Sequence, residues 1–337
     1  MVLSIDSNPT GRVRVPPPVP LIRSSDVAHA ERQVSLGRLV RVRRGVLASA
    51  SSWSALKPWE RYLSRVYAVA MIYPEIVFTH ESAAAILGLP IFGEPKEVHA
   101  LDTHHATARV SGGIRLHTTT ADRVLSDIGG ILVTSVADVA IDLARFRHRA
   151  IGLAVADAAL RSDPLLTVAE LVAANESRPS SRGRRVARWA LHRASPLAET
   201  PLESVSRAAI EWLGFAEPEL QREFRTGDRT DRCDMWWREA RIVGEADGDV
   251  KYDGTLQPSA AAIRREKDRD RRLRHHVEGI GHWGWADVAD VVPLREALHQ
   301  AGLRPIAPES SLELQTLRSA LRPSRAPGRE TATVRRD

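Results

Sequence analysis

The chain has 337 residues, of which 43% are hydrophobic and 27% are charged, as expected of a soluble globular protein with two or three domains. Its net charge of +6 raises the expectation of a polyanionic partner, although basic arms alone can give such a charge. Cys233 is the only cysteine, which excludes an internal disulfide and a cysteine-based zinc site and suits a reducing compartment. Without a signal peptide or a run approaching about 18 apolar residues, we expect a cytoplasmic protein with no membrane span.

The N-terminal part predicts a flexible leader over residues 1–20 and a partial winged-helix-like segment over residues 21–57. In that segment a helix is followed by the basic hairpin "GRLVRVRRGVLAS". As a wing, the hairpin would contact nucleic acid through Arg41, Arg43 and Arg44. A solvated edge hairpin, whose arginines deter edge pairing, remains an open alternative because only one of the helices that a winged helix needs is visible.

Residues 58–178 predict a mixed α/β domain. Helical stretches such as "THESAAAILGLP" and "TSVADVAIDLARF" alternate with short strand candidates, "EVHAL" and "IRLHTTT". We predict no chemistry here, because the histidines lack any helical metal spacing and are interpreted as ordinary surface or loop residues. These histidines are His80, His99, His104, His105 and His117.

Three further segments complete the predicted organisation. Residues 179–200 predict a linker with an arginine-rich helix, and residues 306–337 predict a disordered basic tail. Between them, residues 201–305 predict a mixed β-sheet flanked by helices. The predicted fold class is therefore α/β, with an α+β arrangement in the N-terminal and middle regions.

Carboxylates occupy unusual places in the strand pair "RCDMWWREARIVGEADGD". Strand alternation predicts Asp234 on the face opposite Cys233, with Glu245 and Asp247 sharing a face on the next strand. If Asp234 and Glu245 are directly opposite, they lie within ~5 Å of each other, which favours a neutralising cation. Carboxylates are the preferred ligands of Mg²⁺ and Mn²⁺. Alternatively, Asp234 pairs with an arginine and Asp247 forms a turn.

Glu203 has a structural explanation of its own. In "ETPLESVSR", Thr200 is a candidate N-cap, Pro201 occupies the first helical position and Glu203 the third. This spacing is typical of a capping box, in which the glutamate side chain bonds back to the start of its helix.

A basic stripe follows the acidic strands. In "AAIRREKDRDRRLRHH", one helix face would carry Arg264, Lys267, Arg271 and Arg274. A phosphate backbone beside a carboxylate site would require such a stripe. A solvated helix with i to i+4 ion pairs is the open alternative.

These motifs resemble those of the PD-(D/E)XK nuclease fold: glutamate on a first helix, aspartate on a strand, then glutamate two residues before a third polar site. More closely, the chain resembles an actinobacterial group with an AbiEi-antitoxin-like N-terminal region and a very-short-patch-repair (Vsr) or restriction-endonuclease-like C-terminal domain. The resemblance covers most of residues 36–290. Its C-terminal signature is carried by Glu203 with Arg207, Asp234 with Trp237, Gly244 to Tyr252, Glu266 with Lys267 and Arg269, and Trp283 with Trp285 and Asp287.

The resemblance implies that Asp234 and Glu245 hold a divalent metal with help from Glu203, and that DNA is the substrate. It departs from the general nuclease pattern because Asp247 stands where a lysine is expected. Lys251 or Lys267 would have to replace that lysine. Three functions stay open: a metal-dependent DNA endonuclease-like enzyme, which we favour for the C-terminal domain; a non-catalytic, antitoxin-like DNA-binding regulator; and a purely structural or partner-binding module, with any toxin partner encoded elsewhere. A toxin partner or a homodimer is not decided by these residues.

Overall fold

A computed structural model describes residues 3–6, 13–102, 107–247 and 268–321. These residues contain three β-sheets with surrounding helices. This mixture confirms the predicted α/β class. None of the helices in these ranges is long and apolar enough to cross a lipid bilayer.

The elements are numbered in chain order. The strands are β1 (Leu3–Asp6), β2 (Ile22–Arg23), β3 (Leu39–Arg43), β4 (Val46–Ser49), β5 (Val77–Phe78), β6 (Val98–Leu101), β7 (Arg109–Ser111), β8 (Ile114–His117), β9 (Arg123–Asp127), β10 (Leu132–Thr134), β11 (Glu219–Thr226), β12 (Arg229–Trp237), β13 (Ile242–Ala246) and β14 (Gly279–Trp283). The helices are α1 (Ala30–Ser35), α2 (Ala50–Ser54), α3 (Pro58–Ile72), α4 (His80–Leu87), α5 (Val136–Phe146), α6 (Arg149–Ser162), α7 (Val168–Ser177), α8 (Arg184–Arg193), α9 (Pro201–Trp212), α10 (described over 268–273), α11 (Trp285–Asp290), α12 (Val292–Gln300) and α13 (Ser311–Leu321).

The predicted basic hairpin is present near the N-terminus. Strands β3 and β4 pair antiparallel, and Gly45 turns the chain with a φ of 86° that suits glycine. Strand β2 adds to β4, so the sheet order is β2-β4-β3. A 3₁₀ turn (Ser24–Asp26) and α1 lie between β2 and β3. Within residues 21–57 the structure therefore has two helical elements beyond the single helix that the sequence indicated: this 3₁₀ turn and α2.

The leader prediction is wrong for the described part of residues 1–20. Strand β1 pairs parallel with β9 at the edge of a seven-stranded mixed sheet, whose order is β1-β9-β10-β5-β6-β8-β7. The N–H of Val15 donates to the carbonyl of Ile86 at 3.0 Å, and the Tyr67 hydroxyl donates to the Val15 carbonyl at 2.5 Å. These two hydrogen bonds to the backbone of Val15 hold this proline-rich part of the chain against α3 and α4.

The C-terminal sheet has the order β11-β12-β13-β14. Its first three strands are antiparallel neighbours and β14 runs parallel to β13, so the sheet is mixed as predicted. Met235 and Trp237 on one face join the main core together with α9, whereas Cys233 and Trp236 pack in a second cluster with Val243 and Val277.

This grouping corrects the predicted alternation. Strict alternation along the strand predicts Met235 on the same face as Cys233, but the two lie in different clusters because the alternation of β12 is interrupted at Asp234. The opposite residue on β11, Gln221, has a φ of 56°, and the register pairs skip from Arg222–Cys233 to Leu220–Met235. A left-handed residue in a strand breaks the pleat locally, which a period-2 pattern cannot anticipate.

Residues 179–200, which were predicted as a linker, contribute apolar side chains to the main hydrophobic core. Helix α6 packs against α9, and a buried ion pair joins them: Arg207 Nη1 donates to Asp157 Oδ2 at 3.1 Å. Asp157 also accepts the N–H of Ser195 at 2.7 Å, and Arg207 donates to the Arg193 carbonyl at 2.8 Å. Burial raises the pKa of Asp157 to about 6, although Arg207 lowers it. The domain boundaries stay predictions, but residues on both sides of the boundary before α9 belong to the same hydrophobic core.

The tail prediction is also wrong for part of its length. Helix α13 lies inside residues 306–337, and its Leu314 and Leu317 are buried in the main core. Arg149 at the start of α6 pairs with Glu313 at 2.5 Å. The three-residue leucine spacing in "SLELQTLRSAL" is a helical signal that the basic composition of the following residues obscured. Residues 322–337 lie outside the described chain.

Candidate active site

The three acidic residues of the predicted site lie on the three elements that the sequence predicted. Glu203 is in the first turn of α9, Asp234 is in β12 and Glu245 is in β13. Helix α9 begins where local signals place it, because the Thr200 hydroxyl accepts the N–H of Glu203 at 3.2 Å and Pro201 takes the first helical position.

The carboxylate of Glu203 does not close the predicted capping box. Its Oε2 accepts the N–H of Glu199 at 2.9 Å, one residue before the N-cap, and the Nε2 amide of Gln221 at 3.0 Å. The side chain is 2% exposed. Glu203 therefore connects the start of α9 to the irregular point of β11, which lies opposite Asp234.

Asp234 binds the neighbouring strand through its side chain. Its Oδ2 accepts the N–H of Ala246 in β13 at 2.9 Å. Burial raises the pKa of Asp234 to about 6, and the negative charges of Glu203 and Asp247 raise it further, against the lowering effect of the Ala246 N–H. Within the described ranges the arginine of this site pairs with Glu245 and not with Asp234, so the alternative pairing of Asp234 with an arginine is not found there.

Glu245 is the carboxylate that holds an arginine. Arg269 on α10 donates from Nη2 to Glu245 Oε1 at 2.8 Å, and the glutamate is 2% exposed. Burial raises the pKa of Glu245 to about 7; Arg269 lowers it and the charge of Asp234 raises it. One guanidinium therefore does not offset the cost of burying Glu245 next to the half-buried Asp234.

Asp247 occupies the position where a lysine is expected, and it binds His282. Asp247 follows the end of β13, and His282 in β14, which is in register with Glu245, has its Nδ1 at 2.9 Å from Asp247 Oδ2. His282 Nε2 lies 3.4 Å from Asp270 Oδ2, and the bond to Asp247 raises the pKa of His282. Over the described ranges, the buried Oδ1 of Asp270 has no hydrogen-bond partner. Lys251, the predicted substitute, lies outside the described residues.

The predicted basic stripe is described only in part. Arg264 and Lys267 lie outside the described residues. The side chain of Arg271 is 78% exposed and lies 3.6 Å from Asp268, and Arg274 is also exposed. These two arginines are exposed on or just after α10, the helix whose Arg269 binds Glu245, and a phosphate contact would require such exposure.

The arginines of the N-terminal hairpin have different surroundings. Arg41 pairs with Glu31 on α1 at 2.6 Å. Arg43 donates to the Gly112 carbonyl at 2.9 Å, so it already serves tertiary structure, whereas Arg44 is exposed. We therefore expect Arg44 to be the most available of the three for a partner.

The sequence reasoning assigned no role to several residues that the structure brings to this site. Arg269 stood in the quoted signature without a role, and neither His282 nor the orphaned oxygen of Asp270 was singled out. The available signal was the i to i+3 spacing of Arg269 and Arg272, which turns both guanidinium groups toward β12 and β13. Arg272 binds Asp231 at 2.6 Å through both carboxylate oxygens.

Oxygen donors suited to a hard divalent cation are present at the cluster. The raised pKa values of Asp234 and Glu245 are those of carboxylates with too little positive charge around them. By donor chemistry, Asp234, Glu245 and Glu203 thus fit Mg²⁺ or Mn²⁺. Their oxygens are not gathered tightly, however. Across the described chain, the only group of three or more potential ligands whose ligand atoms all lie within 4.8 Å of one another consists of three histidines.

That group of histidines corrects an earlier interpretation. His80, His99 and His117 were expected to be ordinary surface or loop residues, but the structure places them side by side in the middle region, with His80 and His99 buried. Strands β6 and β8 pair parallel and bring His99 and His117 together. His104 and His105 lie outside the described residues.

Fold and site together define an α/β protein with a buried acidic cluster beside exposed arginines. Comparison with known sequences finds two relatives, each 31% identical over 267 residues, which cover 77% of this chain and 88% of the relative. They are "Uncharacterized protein MT2308" of Mycobacterium tuberculosis strain CDC 1551 / Oshkosh and "Uncharacterized protein Rv2248" of strain ATCC 25618 / H37Rv. The chain belongs to the family of these mycobacterial proteins. No family model and no solved structure matches it.

Asp234→Asn is expected to stabilise the protein at alkaline pH. The folded-state pKa of about 6 lies above the unfolded value of about 3.9, so folding takes up a proton and the contribution of this group is lost as pH rises through 6. The variant should gain about 1–3 kcal/mol in the free energy of unfolding at pH 8 and almost nothing near pH 4, measured by urea denaturation. Asp228→Asn, in the exposed turn between β11 and β12, is the matched control. An equal effect at both pH values would contradict the assignment.

Proposed function

We propose that this protein is a metal-dependent, endonuclease-like hydrolase of DNA phosphodiester bonds in the cytoplasm. Its C-terminal part would be Vsr-like within the PD-(D/E)XK superfamily, and its N-terminal and middle parts AbiEi-like. One observation carries the proposal: burial raises the pKa values of Asp234 and Glu245 on adjacent strands, the charge of Asp234 raises that of Glu245 further, and the charge of Glu203 at the start of α9 raises that of Asp234. Strongly perturbed carboxylates grouped on the two central strands of a sheet favour a functional site over a structural one.

The metal would be held by Asp234, Glu245 and Glu203. When bound, Mg²⁺ or Mn²⁺ would polarise the phosphodiester and lower the pKa of a bound water. Such a cation would also relieve the repulsion that now raises the pKa values of Asp234 and Glu245.

The cations of the chain itself would orient the phosphate. Arg269 is the described guanidinium beside the acidic pair, and its planar fork is suited to phosphate as well as to carboxylate. The Asp247–His282 pair keeps a proton on the imidazole at a higher pH than usual, which gives the site a second positive group where the lysine is missing. Lys251 and Lys267 stay predicted substitutes for that lysine.

The second candidate is a non-catalytic, antitoxin-like transcriptional regulator that keeps the nuclease fold. It is favoured by the carboxylate of Asp247 at the lysine position and by the engagement of Glu245 with Arg269. In this case Arg44, Arg271 and Arg274 would contact the DNA backbone, and the acidic cluster would have no catalytic role. A toxin partner would then be a separate chain.

The deciding experiment is incubation of the purified full chain with supercoiled and nicked DNA, with Mg²⁺, with Mn²⁺ and with EDTA. We expect metal-dependent nicking that falls by roughly 100-fold or more in Asp234→Ala, since even partners one shell outside a metal cost 10–100-fold. Asp228→Ala should cut at the wild-type rate. Salt-dependent DNA binding without cleavage, equal in wild type and Asp234→Ala, would overturn the enzyme and support the regulator.

A further inference from the structure

The histidine cluster in the middle region is built from three separate elements. His80 opens α4, His99 lies in β6 and His117 ends β8. His99 Nδ1 and His117 Nε2 are 2.9 Å apart, and the rings of His80 and His117 stack with centroids at 3.9 Å. One ring nitrogen of each histidine lies within 4.8 Å of the other two.

Glu81 supplies an independent pointer to a ligand. Its carboxylate is 5% exposed, and its Oε1 is bound by Arg147. Its buried Oε2 lies 3.5 Å from His99 Nδ1 and makes no hydrogen bond to any described residue. A buried carboxylate oxygen without a donor costs stability, so this oxygen beside His99 is unexplained unless something else binds there.

The protonation state of the cluster suits a metal. Burial lowers the pKa of His99 to about 4 and that of His117 to about 4, and it lowers the pKa of His80 well below its usual value. The imidazoles are therefore neutral at physiological pH, which is the form that coordinates metal ions.

The surroundings of His80 provide outer support of the kind that ligating histidines have. Its Nδ1 lies 3.2 Å from the Thr79 hydroxyl, which donates to Asp142 Oδ2 at 3.4 Å. If the Nδ1–H of His80 donates a hydrogen bond to the Thr79 hydroxyl, the Nε2 of His80 keeps a lone pair for a metal. His80 also has a φ of 48°, an uncommon conformation for this residue type that tends to occur at functional sites.

We propose that His80, His99 and His117 form a binding site for a divalent transition metal of the zinc class, with the Glu81 carboxylate beside His99 to balance the charge of the metal. Imidazole nitrogens favour zinc and its neighbours over magnesium. Tetrahedral zinc with bonds of about 2.0–2.1 Å requires ligand atoms roughly 3.3 Å apart, and the facing nitrogens of His99 and His117 are 2.9 Å apart. The metal would tie α4 to β6 and β8, and the site does not depend on the carboxylates of the C-terminal sheet.

The test is metal binding by the untagged full chain, with Zn²⁺ and Co²⁺ as probes. We expect one high-affinity site by calorimetry and a tetrahedral Co²⁺ absorption spectrum. Saturating Zn²⁺ should raise the melting temperature by roughly 5 °C or more. His117→Gln, at the half-buried member of the cluster, and Glu81→Gln should each weaken binding by at least about 10-fold.

His192→Gln, on the exposed face of α8, is the matched control and should bind as wild type does. Circular dichroism establishes that each variant is folded. Absence of stoichiometric binding to folded wild type at micromolar Zn²⁺, or unchanged affinity in both His117→Gln and Glu81→Gln, would overturn the proposal.

Discussion

Replacing Asp157 by alanine should lower the free energy of unfolding by about 3–5 kcal/mol, the usual cost of breaking a buried ion pair from one side. Asp157 is fully buried and Arg207 is 8% exposed. Without the carboxylate, Arg207 keeps a short bond to the Arg193 carbonyl but loses its buried counter-charge. The Ser195 N–H loses its acceptor as well. Urea denaturation followed by circular dichroism measures the change.

Two further variants distinguish charge from packing at this pair. The double variant Asp157→Leu with Arg207→Met should recover much of the lost stability, because a buried pair is often replaceable by apolar side chains. Arg238→Met breaks only an exposed pair with Glu219 and should cost under about 1 kcal/mol. A cost of Asp157→Ala no larger than that of Arg238→Met would show that the pair does not hold α6 and α9 together.

Gly244→Ala should destabilise the protein by about 2–4 kcal/mol and disturb the acidic cluster beside it. A Cβ at Gly244 would lie 2.4 Å from Trp283 Cη2 and 2.9 Å from Trp237 Cζ3. Neither ring can yield easily, because Trp283 donates to Ser206 Oγ at 2.8 Å and Trp237 to the Ala216 carbonyl at 2.7 Å. Overpacking against fixed rings typically costs 1–3 kcal/mol, occasionally more.

Gly281→Ala on the adjacent strand is the matched control. Its added Cβ would meet its nearest atoms at 3.4 and 3.5 Å, so we expect a change within about 1 kcal/mol. Thermal unfolding with tryptophan fluorescence reports both the stability and the environment of the rings. If the two alanines cost the same, the tight contact at Gly244 is not what limits the residue there.

Local signals in the sequence predicted the parts of the site that depend on neighbours along the chain. Thr200 and Pro201 marked the start of α9, and alternation placed Asp234 and Glu245 on consecutive strands. These features follow from capping and from the period of a strand, which a few residues determine. The interruption at Asp234 was missed because its cause is Gln221 on another strand.

Partners distant in sequence were beyond local reasoning. With 48 lysines and arginines in the chain, nothing in the pattern shows that Arg269 meets Glu245 or that Arg207 meets Asp157. The histidine cluster was missed for a related reason: His99 and His117 meet only because β6 and β8 pair in parallel. A histidine in each of two strand candidates was the one available hint, and helical spacing was the wrong test for it.

Helix α13 bears on how the chain can be divided. Its leucines enter the core that α6 and α9 share, and Glu313 and Thr316 reach Arg149 and His148 in the middle region. A fragment that starts at α9 would contain α13 but would lack the part of its packing surface that α6 provides. A fragment that stops before α9 would expose that apolar surface of α6 to solvent. Both pieces would be prone to aggregate, so biochemical work on either centre needs the uncut polypeptide at least through Leu321.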